Sequence, residues 1–202
     1  MTHAALDWAT ASRPATPGDA LGDGSVVRPS EHAVVIAVVD GLGHGAEAAA
    51  AAKLALGAIG RSSQSAPERL CRECHLALHP GRGAVMGIMR VDPRRSLLEW
   101  VGVGDVSAAI LRANPGAGPA VEVLVSYHGV VGRHLPVVRP VTRWLAAGDL
   151  LVLATDGVRP AYDQVASRND TPERIAARLL EECAVLDDDA LVLVACYRGA
   201  AP

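Results

Sequence analysis

Six consecutive apolar residues, Val34-Val35-Ile36-Ala37-Val38-Val39, run without a polar interruption into Asp40-Gly41. A strand with no polar position is buried on both faces, so this chain needs a packed layer above and below it. Its exit is equally constrained. Gly41-Leu42-Gly43-His44-Gly45 is a glycine-dense turn, and Ala dominates the residues after it, with Glu47, Lys53 and Leu54. That composition predicts a helix from His44 to about Gly60. A carboxylate beside a buried core is costly unless a cation or hydrogen-bond donors accompany it.

The same form recurs. Leu150 to Ala154 is an apolar strand that leads through Thr155 into Asp156-Gly157, and Asp187-Asp188-Asp189 immediately precede the apolar run that ends at Ala195. Asp23 lies in a Gly22-Asp23-Gly24 turn and Asp105 follows Gly104. Taken singly, Asp-Gly is a common turn dipeptide and a run of Asp is a solvated loop. Taken as an ordered set at strand ends, these acids would repel one another on converging. A hard divalent cation such as Mg²⁺ or Mn²⁺ resolves that conflict with carboxylate, carbonyl and water oxygens. Glycine after each Asp lets the backbone approach closely.

The remaining segments give the architecture. Ala4–Ser12, a short stretch around Val26, Val121–Tyr127, Val141–Leu145, Leu150–Ala154 and Ala190–Tyr197 read as strands. Ala84–Asp92, Ser96–Val103 and Val106–Arg112 read as an antiparallel meander separated by turn residues. Ser65-Ala66-Pro67-Glu68 reads as a capping box opening a second helix, and Asp170-Thr171-Pro172-Glu173 opens a third that runs to about Ala184. Segregated strands and helices predict an α+β fold. With 202 residues and no repeat or linker, the expectation is one domain over 1–202, as a monomer.

Composition narrows the function classes. Phe is absent, so the core must be Val, Leu, Ala and Ile. A formal net charge of -3 gives no reason to expect nucleic acid or an anionic membrane as partner. No membrane-length apolar run is present, and MTHAALDWAT lacks the pattern of a signal peptide, so the cytoplasm is the expected location. Cys71-Arg72-Glu73-Cys74-His75 spells a haem-attachment pattern, but the cysteines fall on one face of an amphipathic helix with Leu70 and Leu78 and are expected to be buried and structural.

The sets Gly22-Asp23, Val39-Asp40-Gly41-x-Gly43-His44-Gly45, Ala154-Thr155-Asp156-Gly157-Val158 and Asp188-Asp189-Ala190-Leu191 resemble, in that order, the metal-dependent PPM-type serine/threonine protein phosphatases. The likeness is greatest to the bacterial SpoIIE-like branch and, in the short length, to the RsbX-type phosphatases of the stressosome. The resemblance implies an αββα sandwich of two antiparallel β-sheets flanked by helices. It implies a two-metal centre of Mn²⁺ or Mg²⁺ in which Asp40 bridges the ions, the Gly41 carbonyl helps hold one, and Asp23, Asp156 and Asp188 complete the shell. Asp105 matches a position that binds a third metal in some relatives. The implied reaction is hydrolysis of phosphoserine or phosphothreonine by a metal-activated water. The implied partners are phosphorylated STAS-domain proteins of the stressosome-scaffold or anti-anti-sigma type.

His44 has two open roles, protonating the leaving oxygen or capping the helix that follows, because Leu42 and Gly43 separate it from the Asp-Gly pair. Arg13 lies in the region where many eukaryotic relatives carry a phosphate-gripping arginine, at a different spacing. The loop Gly129–Pro140, with Arg133, His134 and Arg139, is a candidate contact for a phosphorylated acidic partner. Two rival classes remain. Gly41-x-Gly43-x-x-Ala46 after a strand is close to a dinucleotide-binding turn, but Asp40 would face the pyrophosphate and an antiparallel meander follows. A catalytically silent binding module of the same fold is the other.

Overall fold

The computed structural model describes every residue except 1, 4, 63, 117, 167–169 and 200–202. In chain order the elements are β1 (Thr2–His3), β2 (Leu6–Arg13), β3 (Asp23–Pro29), β4 (Val34–Gly41), α1 (Gly45–Arg61), α2 (Pro67–Leu78), β5 (Ala84–Asp92), β6 (Leu97–Val103) and β7 (Ser107–Leu111). They continue as β8 (Val121–Leu124), β9 (Val141–Trp144), β10 (Leu150–Ala154), α3 (Tyr162–Val165), α4 (Pro172–Cys183) and β11 (Ala190–Tyr197). The strands make a six-stranded sheet, β1-β2-β11-β10-β7-β8, and a five-stranded sheet, β3-β4-β5-β6-β9. Every strand pairing is antiparallel. Helices α1 and α2 cover the outer face of the smaller sheet and α4 covers that of the larger, giving an αββα sandwich.

The apolar runs are what the layers require. Along β4, Val34, Ile36 and Val38 point between the sheets, while Val35, Ala37 and Val39 face α1 and α2. Strand β11 divides the same way, with Leu191, Leu193, Ala195 and Tyr197 inward and Val192, Val194 and Cys196 toward α4. Both faces of a central strand are therefore dry, and each fully buried Val or Leu contributes roughly 1.5–3 kcal/mol. The alanines of α1 (Ala48, Ala51, Ala52, Ala55) are its buried face. Their small size lets the helix backbone lie against the end of β4, where a Cβ on Gly41 would sit 2.1 Å from the Ala48 carbonyl oxygen.

Several local expectations are corrected. The three-strand meander does not form: β5 and β6 are a hairpin, but β7 pairs with β10 and β8 in the other sheet. Gly104, at φ +90, turns the chain across the sandwich at that point. Strands β9 and β10 likewise belong to different sheets. Strand β8 ends at Leu124, and Tyr127 instead bridges to Val103. Asp23 opens β3 rather than sitting in a turn. The N-cap of α2 is Ala66, with Pro67 in its first turn and no side-chain cap bond among the described residues, so Ser65 closes no capping box. All four cysteines are free and buried, and burial pushes the Cys71 and Cys74 thiols up to about 12, which keeps them inert. Among the described residues no helix is long and apolar enough to cross a membrane.

Candidate metal centre

One end of the sandwich collects the acids. Asp23 at the start of β3 is the register partner of Asp40 at the end of β4. In the opposite sheet β10 ends as β11 begins, Ala154 pairing with Val192, which places Asp156 and Asp188 on the two segments that leave and enter that pair. Asp105 lies on the crossing from β6 to β7, whose first residue Ser107 is opposite Ala154. Asp40, Asp105 and Asp156 each offer a carboxylate oxygen, and these atoms lie within 4.8 Å of one another. Asp23 and Asp188 stand just outside that group, yet near enough for their charges to act on it.

The electrostatics are those of uncompensated acids. Burial pushes Asp40 up to about 8, and the charges of Asp23, Asp156, Asp105 and Asp188 add to the effect. Asp23 rises to about 7, again chiefly by burial, with a Thr155 hydrogen bond pulling it down and Asp189, Asp156 and Asp188 pushing it up. Asp156 is raised by burial and by Asp105 and Asp188. No Lys, Arg or His among the described residues forms an ion pair with any of these acids. A donor set of oxygens alone, carrying excess negative charge, fits hard divalent cations.

Thr155 and Asp189, outside the group of three converging carboxylates, hold this arrangement. Thr155, fully buried, donates from Oγ1 to Asp23 Oδ2 at 2.8 Å and accepts from Leu191 N–H at 3.0 Å. Asp189 is buried and spent on structure: its carboxylate accepts from Ala15 N–H at 2.8 Å and Gly22 N–H at 2.7 Å. Asp188, its neighbour, is exposed, and its charge acts on Asp23, Asp40 and Asp156. A signal for this division lies in the two-residue period of β11, since Asp189 shares parity with the inward Leu191 and Leu193. Thr155 likewise shares parity with inward Leu151 and Leu153. Gly157 is needed for close approach, because a Cβ there would sit 1.9 Å from the Asp189 carbonyl oxygen.

The family model described as Stage II sporulation protein E (SpoIIE) matches residues 30–198. The chain belongs to the SpoIIE family. It is therefore a phosphoprotein phosphatase of the PP2C (PPM) type. Among solved structures, one described as "The bacterial stressosome: a modular system that has been adapted to control secondary messenger signaling" is 29% identical. It superposes with a TM-score of 0.86 over 94% of this chain and 98% of the other. RsbX in complex with magnesium is 18% identical, TM-score 0.86, over 98% of both chains. The catalytic domain of the serine/threonine phosphatase PstP with two manganese ions is 17% identical, TM-score 0.70, over 96% of this chain and 99% of that one. No curated protein matches the chain. Such neighbours accord with dependence on a divalent metal.

Around this cluster of acids the other candidates separate. His44 is exposed and occupies the N-cap position of α1, but its side chain makes no cap bond. Arg13 turns its guanidinium to the Val185 carbonyl at 2.5 Å, beside α4. Arg133, His134 and Arg139 are exposed on the loop 129–140. That loop is anchored rather than free: His75 Nδ1 accepts from Gly132 N–H at 2.9 Å, His79 Nδ1 lies 3.3 Å from the Gly132 carbonyl, and Val131 bridges to Ala84. His75, which the sequence offers as part of a cysteine motif, thus positions the loop beside the acids. Arg82 pairs with Glu47 of α1 and overhangs Gly43.

Proposed function

We propose that this chain is a Mn²⁺- or Mg²⁺-dependent protein phosphatase that removes phosphate from serine or threonine of phosphorylated STAS-domain proteins. The observation that carries the reading is the convergence of Asp40, Asp105 and Asp156 within 4.8 Å, with no cationic partner among the described residues. Asp23, Asp40, the Gly41 carbonyl, Asp156 and Asp188 would hold two divalent ions, with Asp105 available for a third. Ions so held would supply a water acidic enough to lose its proton near neutral pH and charge that neutralises the phosphoryl oxygens. Thr155 fixes the orientation of Asp23 through its hydroxyl. His44, exposed at the turn two residues beyond Gly41-Leu42, is the candidate to protonate the departing serine or threonine oxygen.

The STAS-domain substrate class is supported by the fold likeness to RsbX and by the 29%-identical neighbour described in a stressosome context. A monomer in the cytoplasm accords with it. The test is release of phosphate from phosphorylated STAS proteins, and from p-nitrophenyl phosphate, in Mn²⁺ against EDTA. Metal-dependent turnover of both is expected. Turnover of p-nitrophenyl phosphate with none of the STAS substrates would move the partner elsewhere. Hydrolysis that survives EDTA or Asp40→Asn would overturn the mechanism.

A further inference from the structure

A pocket of about 560 Å³ opens directly beside the acids, and Asp105 belongs to both. Its floor is Val85, which is 4% exposed and is the register partner of Asp40 on β5. Leu42 and Val130 form apolar walls. Ser126 also lines it, but its hydroxyl donates to the Val106 carbonyl at 3.0 Å. Val130 is fixed by its N–H to the His134 carbonyl at 2.9 Å, inside the loop that His75 anchors. With Asp105 and His128 as its ionisable lining, this is a preformed and mainly apolar pocket, joined edge to edge with the candidate centre.

We infer that this pocket is a specificity subsite that seats an apolar side chain flanking the phosphorylated residue of the protein substrate. The inference rests on the phosphatase function proposed above. In an extended substrate the side chains two residues from the phosphoserine share its face, about 7 Å along the chain, and Asp105 spans the two places. An acidic flanking residue would meet the Asp105 carboxylate and, beyond it, those of Asp40 and Asp156, against the single imidazole of His128. A basic one would compete for a carboxylate already grouped with Asp40 and Asp156. An apolar side chain instead removes its own surface, and that of Leu42 and Val130, from water.

The test uses the full chain with Mn²⁺ and one phosphoserine peptide scaffold carrying Leu, Ala, Lys or Glu two residues before or after the phosphoserine. At one of these positions Leu is expected to exceed Ala in kcat/KM by about tenfold, the yield of partly burying one Leu side chain. Glu should be the poorest. Val130→Ser should bring the Leu-to-Ala ratio close to one, read as a ratio so that a general loss of rate does not matter. A diazirine analogue of Leu at the preferred position should crosslink to the segment containing Leu42 or Val130, a readout independent of turnover. Equal rates for Leu and Ala at both positions, or a preference for Lys, would overturn the subsite while p-nitrophenyl phosphate hydrolysis leaves the phosphatase function standing. Absence of any metal-dependent hydrolysis would instead remove the phosphatase function, and the subsite with it.

Discussion

Thr155→Val tests whether the acids are held by the stitching between sheets. Valine keeps the β-branched shape and removes one hydroxyl. That hydroxyl has a single proton, which goes to Asp23 Oδ2 at 2.8 Å in preference to the Leu191 carbonyl at 3.3 Å. Its oxygen also accepts the Leu191 N–H at 3.0 Å. The substitution therefore deletes one hydrogen bond to a carboxylate and leaves one buried backbone N–H unpaired. Those two losses together cost about 3 kcal/mol, and for a chain of this size that lowers Tm by roughly 6–12 °C. Urea denaturation of the metal-free protein, monitored by tryptophan fluorescence, reads the change directly. Thr155→Ser restores the hydroxyl and should recover most of it. Since Asp23 also loses its orienting donor, the Mn²⁺ concentration for half-maximal activity should rise in Thr155→Val and return in Thr155→Ser. A destabilisation below about 0.5 kcal/mol would show that the Thr155 bridge contributes nothing net, and the account of how Asp23 is held would be wrong.

Asp40→Asn keeps the shape and removes the charge. Metal-dependent hydrolysis should collapse, while the metal-free protein at pH 8.5 gains about 1–2 kcal/mol from relieved repulsion; a variant that is both active and destabilised contradicts the assignment. Gly41→Ala places a Cβ 2.1 Å from the Ala48 carbonyl oxygen, an overpacking cost of about 3 kcal/mol, and an unchanged denaturation midpoint would refute that contact. Asp40 and Asp23 have folded-state values raised from 3.8 to about 8 and about 7, so between these limits the folded metal-free protein binds more protons than the unfolded chain. Its stability should fall as pH rises from 6 to 8.5, and saturating Mn²⁺, which takes the deprotonated carboxylates, should reverse the slope. A metal-free Tm that climbs over the same range would contradict the raised values.

The parts of the fold legible in the sequence are those where one physical term dominates. Strands β4, β10 and β11 are apolar at every core position because both faces are buried, and the alanine-rich α1 has little alternative to helix. The carboxylates at strand ends were readable for the same reason, since an acid bordering such a run demands a partner. Sheet membership was not readable. Nothing local distinguishes a hairpin after β6 from a crossing, and the pairing of β7 with β10 joins residues about forty positions apart in sequence. The cap expected at Ser65 failed because the helix starts one residue later, with Ala66 at the N-cap position and no side-chain group there to bond. Thr155 and Asp189 were visible as residues but not as supports, because their partners, Asp23, Ala15 and Gly22, lie in the other half of the chain.

The centre and the seam between the sheets are the same object. Asp23 and Asp40 belong to the five-stranded sheet, Asp156 and Asp188 flank strands of the six-stranded one, and Asp105 rides the crossing between them. The hydrogen bonds that fasten the sheets at this end, Thr155 to Asp23 and Gly22 to Asp189, run between those same segments. Directly beneath lie Val38, Val85, Leu153 and Leu191 of the inter-sheet core. Their burial, at roughly 1.5–3 kcal/mol each, is what holds several like charges together before any cation arrives. Asp23 and Asp40, paired at strand ends, cannot relax apart without opening that core, so their repulsion is retained as affinity for a cation instead of being spent on local unfolding. A fold with the same carboxylates on mobile loops would relieve the repulsion by moving them, and would lose the preorganisation that in-line attack on phosphorus requires.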